Sequence, residues 1–441
     1  MLVVGFTLIL LIVLCYCNYI YSKHPKVIPF LLLYCFELIW ILVSVVYIEH
    51  GTYISEIANF SYATGGTVRF LLVTIPFCIC APIFFDRRLR TKDICLIRVG
   101  DMRMPQGILP AVSSFICIYV FANVIVSGNV FVNSSITKGN FYSTYSRLPF
   151  AAELGAAYLK VAVFILGIYA FGPNCNSQKK KFAFTMFIFA LFSKVAVGEK
   201  FYGLYTLVFY FLFYKLIMVF GDKKLGRHMS IKTIGSCGLI FMLVFFCVYQ
   251  LGYIRSSKLD YLMAFTKTDN ALDAMLSRAL ALQGHTWWGI DRLLMETKDY
   301  WGDFSQVIRE IKAAILNVSV YDSTIGLGRI MYLVAPESIA SGYLAKHTRF
   351  YGGYWTVGVS VLGYAGTMLF SVFVAYLFSL TYSTLYKALI KLDCFCASIC
   401  LMYALSLYEF FRIGNLSLLF TTRAIVSFVF IILMNSKSKK C

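Results

Sequence analysis

The chain is poor in charge. Asp, Glu, Lys and Arg make up 14% of its 441 residues, against about a quarter in soluble domains, which excludes an ordinary soluble enzyme. Acidic residues are the scarcer kind: 21 Asp and Glu face 40 Lys and Arg. Metal-ligand spacings are missing. No His-x-x-x-His, Asp-x-Asp or Cys-x-x-Cys falls in a loop expected to be exported, so neither a metal nor another cofactor is expected. Cysteine is absent between Gln250 and Leu392, although the chain has 14. The polar segment there has no disulfide and must be held by packing. No internal repeat is visible, which argues against an inverted-repeat transporter. Met1-Leu2-Val3-Val4 lacks a basic n-region and no small-residue cleavage site follows, so no cleavable signal is expected.

What is present is apolar. Hydrophobic residues make up 60% of the chain and the mean hydropathy is +0.75. Apolar runs near the length of a bilayer crossing recur from end to end, which predicts an all-α polytopic membrane protein of about eleven spans. A β-barrel would show short alternating segments instead. The net charge of +19 does not indicate nucleic acid, because about half of the Lys and Arg lie in short loops where the positive-inside rule puts them.

The expected spans are 2–21, 27–48, 68–85, 108–126, 151–171, 182–197, 204–220, 234–253, 363–386, 394–411 and 416–434. The cluster Asp86-Arg87-Arg88-Leu89-Arg90-Thr91-Lys92 is the strongest cytoplasmic marker. It sets the N-terminus outside and the C-terminus inside. Three blocks follow: a bundle over 1–253, a large exported loop over 254–355, and C-terminal helices over 356–441. Within the loop, Asn270 or Asp269 can cap a helix running through Gln283. Asp303 can cap another that lines up Phe304, Ile308, Ile311, Ile315 and Val318, a face suited to the membrane surface or to the bundle.

The densest chemistry lies in Ser277–Arg292. Arg278, His285 and Arg292 are seven apart, while Gly284 and Gly289 predict a helix, a turn and a second helix. One reading is an anion and sugar site, with Arg for phosphate, Trp287 and Trp288 as sugar platforms, and His285 or Asp291 for proton transfer. The other is a packed base anchored by the two indoles. Arg329 in a Gly-Leu-Gly-Arg turn, and Arg349 among aromatics and glycines, are further guanidinium candidates. Arg255, His347 and Glu337 complete the loop's candidates.

Elsewhere, Lys200 sits in the tight turn Gly198–Gly203, where glycines permit close backbone approach. Arg69 stands at the edge of its span and can snorkel. Glu153 is expected to pair with Lys160 or Lys194. Arg423, two turns into the last span, calls for an anionic ligand or for Glu409.

The layout resembles the Wzy-type O-antigen or capsule repeat-unit polymerases: many spans, a charged Gly-flanked turn in mid-chain, then one large exported loop rich in Arg, His and aromatics. A motif of that family, an Arg separated by ten residues from a Gly in an exported loop, is matched by Arg278 and Gly289. No second copy exists, since Arg147, Arg255, Arg329 and Arg349 lack the spacing.

The resemblance implies a GT-C-like fold in the bacterial inner membrane and metal-independent glycosyl transfer at its periplasmic face. The donor would be a glycan on undecaprenyl pyrophosphate and the acceptor a single lipid-linked repeat unit. It implies the lipid bilayer and a chain-length regulator of the membrane as partners, and no nucleic acid. Arg278 and His285 would act in catalysis, with Asp291, Glu337 or His347 as alternative bases. Lys200, Arg255, Trp287, Trp288, Arg292, Arg329, Arg349 and Arg423 would bind substrate. The rival readings are the related ligase and a flippase for the same lipid-linked unit.

Overall fold

The computed structural model describes residues 2–91, 108–129, 131, 136, 141–173, 175–199, 201–221, 263–264, 266–268, 270–316, 318, 321–345 and 348–436. Among the described residues the regular structure is helical, apart from a two-stranded hairpin in which β1 (Tyr53–Ile54) pairs antiparallel with β2 (Asn59–Phe60). Two compact units emerge. One gathers Met1–Lys92, Tyr253–Ser383 and Tyr403–Leu433; the other gathers Asp93–Gly252, Thr384–Met402 and Met434–Cys441.

The first unit begins with α1 (Leu2–Lys23) and α2 (Ile28–Ile48). A proline at the start of α2 gives up only an N–H that the helix does not use. The hairpin β1–β2 follows, then α3 (Gly66–Thr91). The start of α3 is capped from outside the helix. Glu49 accepts the backbone N–H groups of Gly66 at 2.7 Å and Thr67 at 3.2 Å, the orphan donors of a first turn. Pro76 and Pro82 lie inside α3, as spans tolerate where neighbouring helices re-satisfy the freed carbonyls.

The polar segment expected to be exported folds within this unit, its described helices being α8 (Ala271–Ala281), α9 (His285–Thr297), α10 (Ser305–Ile315), α11 (Gly326–Val334) and α12 (Glu337–Ala345). Helix α8 ends two residues short of Gln283, and the backbone carbonyl of Asn270 accepts the N–H of Ala274 at 2.9 Å.

Helix α13 (Tyr354–Ile390) is broken at Gly363, whose φ is +67°. The arm 354–362 folds back along the arm after the break: a Cβ on Gly358 would press on the Thr367 side chain at 2.8 Å. The arm 364–390 covers the stretch expected as the ninth span. Helices α14 (Cys394–Ile413) and α15 (Thr422–Ser436) follow, with a 3-10 turn Leu416–Leu419 between them. Tyr34 of α2 ties this unit together. Its ring meets Phe411 at 4.7 Å, Phe378 at 5.1 Å and Tyr408 at 5.3 Å, and its hydroxyl meets that of Tyr382 at 3.1 Å. Such edge-on aromatic contacts add to burial, about 1 kcal/mol per pair.

The second unit contains α4 (Ile108–Ser127), α5 (Ala151–Phe171, with a π-helical turn at Leu154–Tyr158), α6 (Ser177–Ala196) and α7 (Phe201–Gly221). Small residues let these helices approach: Ala162, Ala170, Ala183 and Ala190 are buried, and Gly167 lies on the backbone of Phe211. Lys194 pairs with Glu199 at 3.3 Å, and Lys160 stands over the Tyr202 ring at 4.9 Å. Glu153 is exposed, so the expected pairing of Glu153 with either lysine gives way to these nearer partners.

Eight described helices are long and apolar enough to cross a membrane. This makes the protein a multi-pass membrane protein and falls short of the eleven spans expected. Stretch 234–253 lies outside the described residues. Helix α6 carries Lys179, Lys180, Lys181 and Lys194. Helix α15 has 15 residues, because Gly414 turns with φ +84° and the next residues form the 3-10 turn.

Candidate functional site

Asp291 was a candidate base, and the structure gives it a different task. It is fully buried. Arg69 donates to it in fork geometry, Nε to Oδ1 at 2.6 Å and Nη2 to Oδ2 at 2.7 Å. The hydroxyls of Thr64 and Tyr364 each add a bond at 2.8 Å. A carboxylate has about four acceptor positions, and all are taken. Asp291 therefore joins α9 to α3 and α13 as an anchor, and Arg69 does more than snorkel.

The indoles reinforce it. Trp287 and Trp288 are 1% and 0% exposed. The Nε1–H of Trp287 donates to the Gly66 carbonyl and that of Trp288 to the Tyr62 carbonyl, both at 3.0 Å. With faces covered and donors spent, they are core anchors and not open sugar platforms. Arg292 lies over Trp288 at 5.1 Å and beside Glu296 at 3.7 Å. The two glycines of the stretch are explained by crowding. A Cβ on Gly284 would press on Ser44 and Val45 of α2, and one on Gly289 would press on Val334 of α11.

Arg278 differs from these. It pairs with Glu56, which sits between β1 and β2 and also accepts from the Ser55 hydroxyl at 3.0 Å. A narrow recess with room for about one water molecule opens beside the pair, lined by Tyr53, Ser55, Glu56, Thr266, Ser277 and Arg278 among others. The Arg278 side chain is 21% exposed and Glu56 5%. A guanidinium, a carboxylate and several hydroxyls thus meet at one small opening whose walls are completed by the apolar Ile54, Ala281 and Leu282.

His285 follows one turn later and is fully buried. Its Nδ1 lies 2.7 Å from the Leu282 carbonyl. A carbonyl can only accept, so Nδ1 carries the proton and Nε2 holds a lone pair. That Nε2 has no hydrogen-bond partner among the described residues. Burial, with the nearby Arg278 charge adding to it, pushes the imidazole pKa down to about 3. A base so weak and so enclosed does not suit proton abstraction in this conformation, which corrects the expectation placed on it. Its ring packs edge-on against Phe350 at 4.8 Å, and the next residue, Thr286, donates to the Tyr351 carbonyl.

That contact leads to a second cationic group. Arg349 stands over the Tyr321 ring at 4.8 Å, and Arg412 of α14 lies near the Tyr351 ring at 5.9 Å. Arg412 donates to Glu409 at 2.9 Å. Burial lowers the Arg349 pKa, and the like charge of Arg412 lowers it further. Beneath them Glu37, buried in α2, accepts the hydroxyls of Tyr408 at 2.7 Å and of Tyr351. Arg349, whose charge burial disfavours, and Arg412, held by Glu409, are each set beside a tyrosine ring, and two guanidiniums so placed can receive an anion that competes with Glu409.

The remaining candidates scatter. Arg329 reaches Asp303 at 3.4 Å and Ser360 at 3.5 Å. Burial lowers its pKa. The glycine-rich turn before it is no phosphate cradle: Glu310 accepts the Gly326 N–H at 2.6 Å and Asn415 that of Leu327 at 3.2 Å. Glu337 is exposed in the first turn of α12. Arg423 stands in the first turn of α15 and not two turns in, because that helix starts at Thr422. Glu409, the alternative to an anionic ligand as its partner, binds Arg412 instead. Lys200, Arg255 and His347 lie outside the described residues. The residues that reading by type overlooked are Glu37, Glu56, Tyr351 and Arg412. Only Glu37, a carboxylate inside an apolar run, carried a signal.

A family model described as a family of unknown function (DUF6418) matches residues 321–428. The matched stretch contains Arg349, Tyr351, Tyr408, Glu409 and Arg412. No curated protein and no solved structure matches the chain.

Proposed function

We propose that the protein is a membrane glycosyltransferase that joins undecaprenyl-pyrophosphate-linked oligosaccharide repeat units into a polysaccharide at the periplasmic face of a bacterial inner membrane. The observation that carries this is the pair Arg349 and Arg412, two guanidiniums set beside tyrosine rings at the end of a membrane helix. Arginine forks match diphosphate oxygens, and tyrosine faces suit pyranose rings. In the proposed reaction the donor's diphosphate sits between these arginines. The acceptor's sugar hydroxyl enters the Arg278–Glu56 recess. Its oxygen bonds to the donor's anomeric carbon, the bond from that carbon to the diphosphate oxygen breaks, and the hydroxyl proton passes to Glu56. Arg349 and Arg412 stabilise the charge that develops on the departing diphosphate.

The glycan of a deletion strain tests the reading. Single repeat units displayed outside, with no ladder of longer chains, support polymerisation. Units trapped inside indicate a flippase, and full-length polymer left on its lipid carrier indicates a ligase. Restoring the strain with Arg349→Ala or Arg412→Ala is expected to leave single units while the protein still inserts. A normal ladder from both variants removes the pair from the site.

A further inference from the structure

Helix α10 shows its apolar stripe to the outside. Phe304 and Ile308 are each 69% exposed, Ile315 67%, and Ile311 45%; Trp301, in the turn before the helix, is 80% exposed. Two of its polar residues, Gln306 and Glu310, face the other way and are buried. Soluble helices bury the apolar side, so something must cover this one.

The position of α10 identifies the cover. The turn Tyr300-Trp301-Gly302 lies on the break of α13. Gly302, with φ +72°, approaches so closely that a Cβ would stand 2.6 Å from the Gly363 nitrogen, and Asp303 N–H donates to the Ser360 carbonyl at 3.1 Å. The helix body packs on the 3-10 turn Leu416–Leu419. Both supports are places where a membrane-length helix begins or ends. Past the break, the lipid-type surface of α13 starts at Leu369, 74% exposed. Past the 3-10 turn, Phe420, Ile425 and Val426 of the α15 region are exposed. Arg309 and Lys312 are exposed beside the stripe, whereas Glu310 is used to cap α11 and Asp303 meets Arg329. Asp299 is exposed next to Lys298 before the turn.

We infer that α10 is an interfacial helix that seats Trp301, Phe304, Ile308, Ile311 and Ile315 in the headgroup and upper acyl layer of the protein's own bilayer, with Arg309 and Lys312 on anionic phospholipid headgroups. An apolar face flanked by basic residues, with aromatics at its end, is what such a layer binds. Because Glu310 and Asp303 link α10 to α11 and Arg329, lipid contact sets the height of the neighbouring helices above the membrane.

The full-length protein reconstituted in vesicles tests this. The vesicles contain phosphatidylcholine and phosphatidylglycerol, one of the two brominated near the top of its acyl chains. The emission of Trp301 is read as wild type minus Trp301→Phe. Short-wavelength emission, largely lost to the bromines, is expected. Brominated phosphatidylglycerol should quench more than its share of the mixture, and Arg309→Gln with Lys312→Gln should abolish that excess. Water-like emission without quenching overturns the inference. So does short-wavelength emission that bromine leaves untouched, which would mean a second copy or another protein covers the face. An excess that survives the double variant overturns the headgroup contact. Ile308→Trp in the Trp301→Phe background repeats the measurement from within the helix.

Discussion

Two arginine–carboxylate pairs tie helices α8 and α9 to the stretch from the β1–β2 hairpin to the start of α3, and they are built to opposite ends. In Arg69–Asp291 the carboxylate is fully buried and its acceptor positions are filled by one guanidinium and two hydroxyls. In Arg278–Glu56 the pair borders a recess, and the carboxylate takes one guanidinium and the Ser55 hydroxyl. A saturated carboxylate holds elements in place and has nothing left for a ligand. A carboxylate beside an opening, with acceptor positions left, can take a further donor. The difference separates the scaffold from the site in a stretch where residue type alone does not.

The largest expected effect falls on the closed pair. Asp291→Ala should lower stability by about 3 kcal/mol, the low end for breaking a buried pair because Arg69 reaches solvent. The melting temperature of the purified protein reads this. An unchanged melting temperature would show that Asp291 does not anchor the segment.

At the open pair the loss should be of function. Arg278→Lys keeps the charge and loses the fork, and is expected to reduce glycan transfer about 100-fold with stability nearly unchanged. Glu56→Gln should do the same. A melting shift as large as that of Asp291→Ala, with activity intact, would make the two pairs alike and erase the distinction.

Acid separates the regions further. His285 has its pKa lowered from 6.5 to about 3 by burial. Between those values the unfolded chain binds a proton that the folded chain refuses. The contribution is therefore whole above pH 6.5 and is lost as pH falls toward 3, at about 1.4 kcal/mol per pH unit. Melting temperatures measured downward from neutral pH should fall, and His285→Asn should flatten that slope. Equal slopes for the two proteins would exclude His285 as the acid-sensitive group.

The smallest effect is reserved for Trp288→Phe. It keeps an aromatic in the core and removes one hydrogen bond, a loss of about 1 kcal/mol, with chain-length distribution unchanged. Altered glycan lengths without a stability change would restore Trp288 as a sugar platform.

The apolar runs marked most membrane helices to within a few residues, because a bilayer demands length and hydropathy that stand out in any window. What they could not mark is pairing across distance. Glu37 finds its two tyrosines 314 and 371 residues further on, and nothing local to Ile28–Ile48 announces them. The reversal at Gly363 was equally hidden, since the apolar pattern continues through it. Among candidate residues, charge and aromatic density located the right segment but not the task of each side chain. Arg278 and Asp291 are alike in being charged residues among aromatics. What sets Asp291 apart is its full set of donors, and that set depends on Thr64, Arg69 and Tyr364 arriving from elsewhere.

The attachment of α9 limits how the recess can breathe. Trp287 and Trp288 grip the carbonyls of Gly66 and Tyr62 from one side while Asp291 grips Arg69 and Thr64 from the next turn. A helix riveted at consecutive turns cannot swing as a door. With α9 fixed, any widening that admits a bulky sugar must come from the walls themselves, where the β1–β2 hairpin carries Glu56 and α8 carries Arg278.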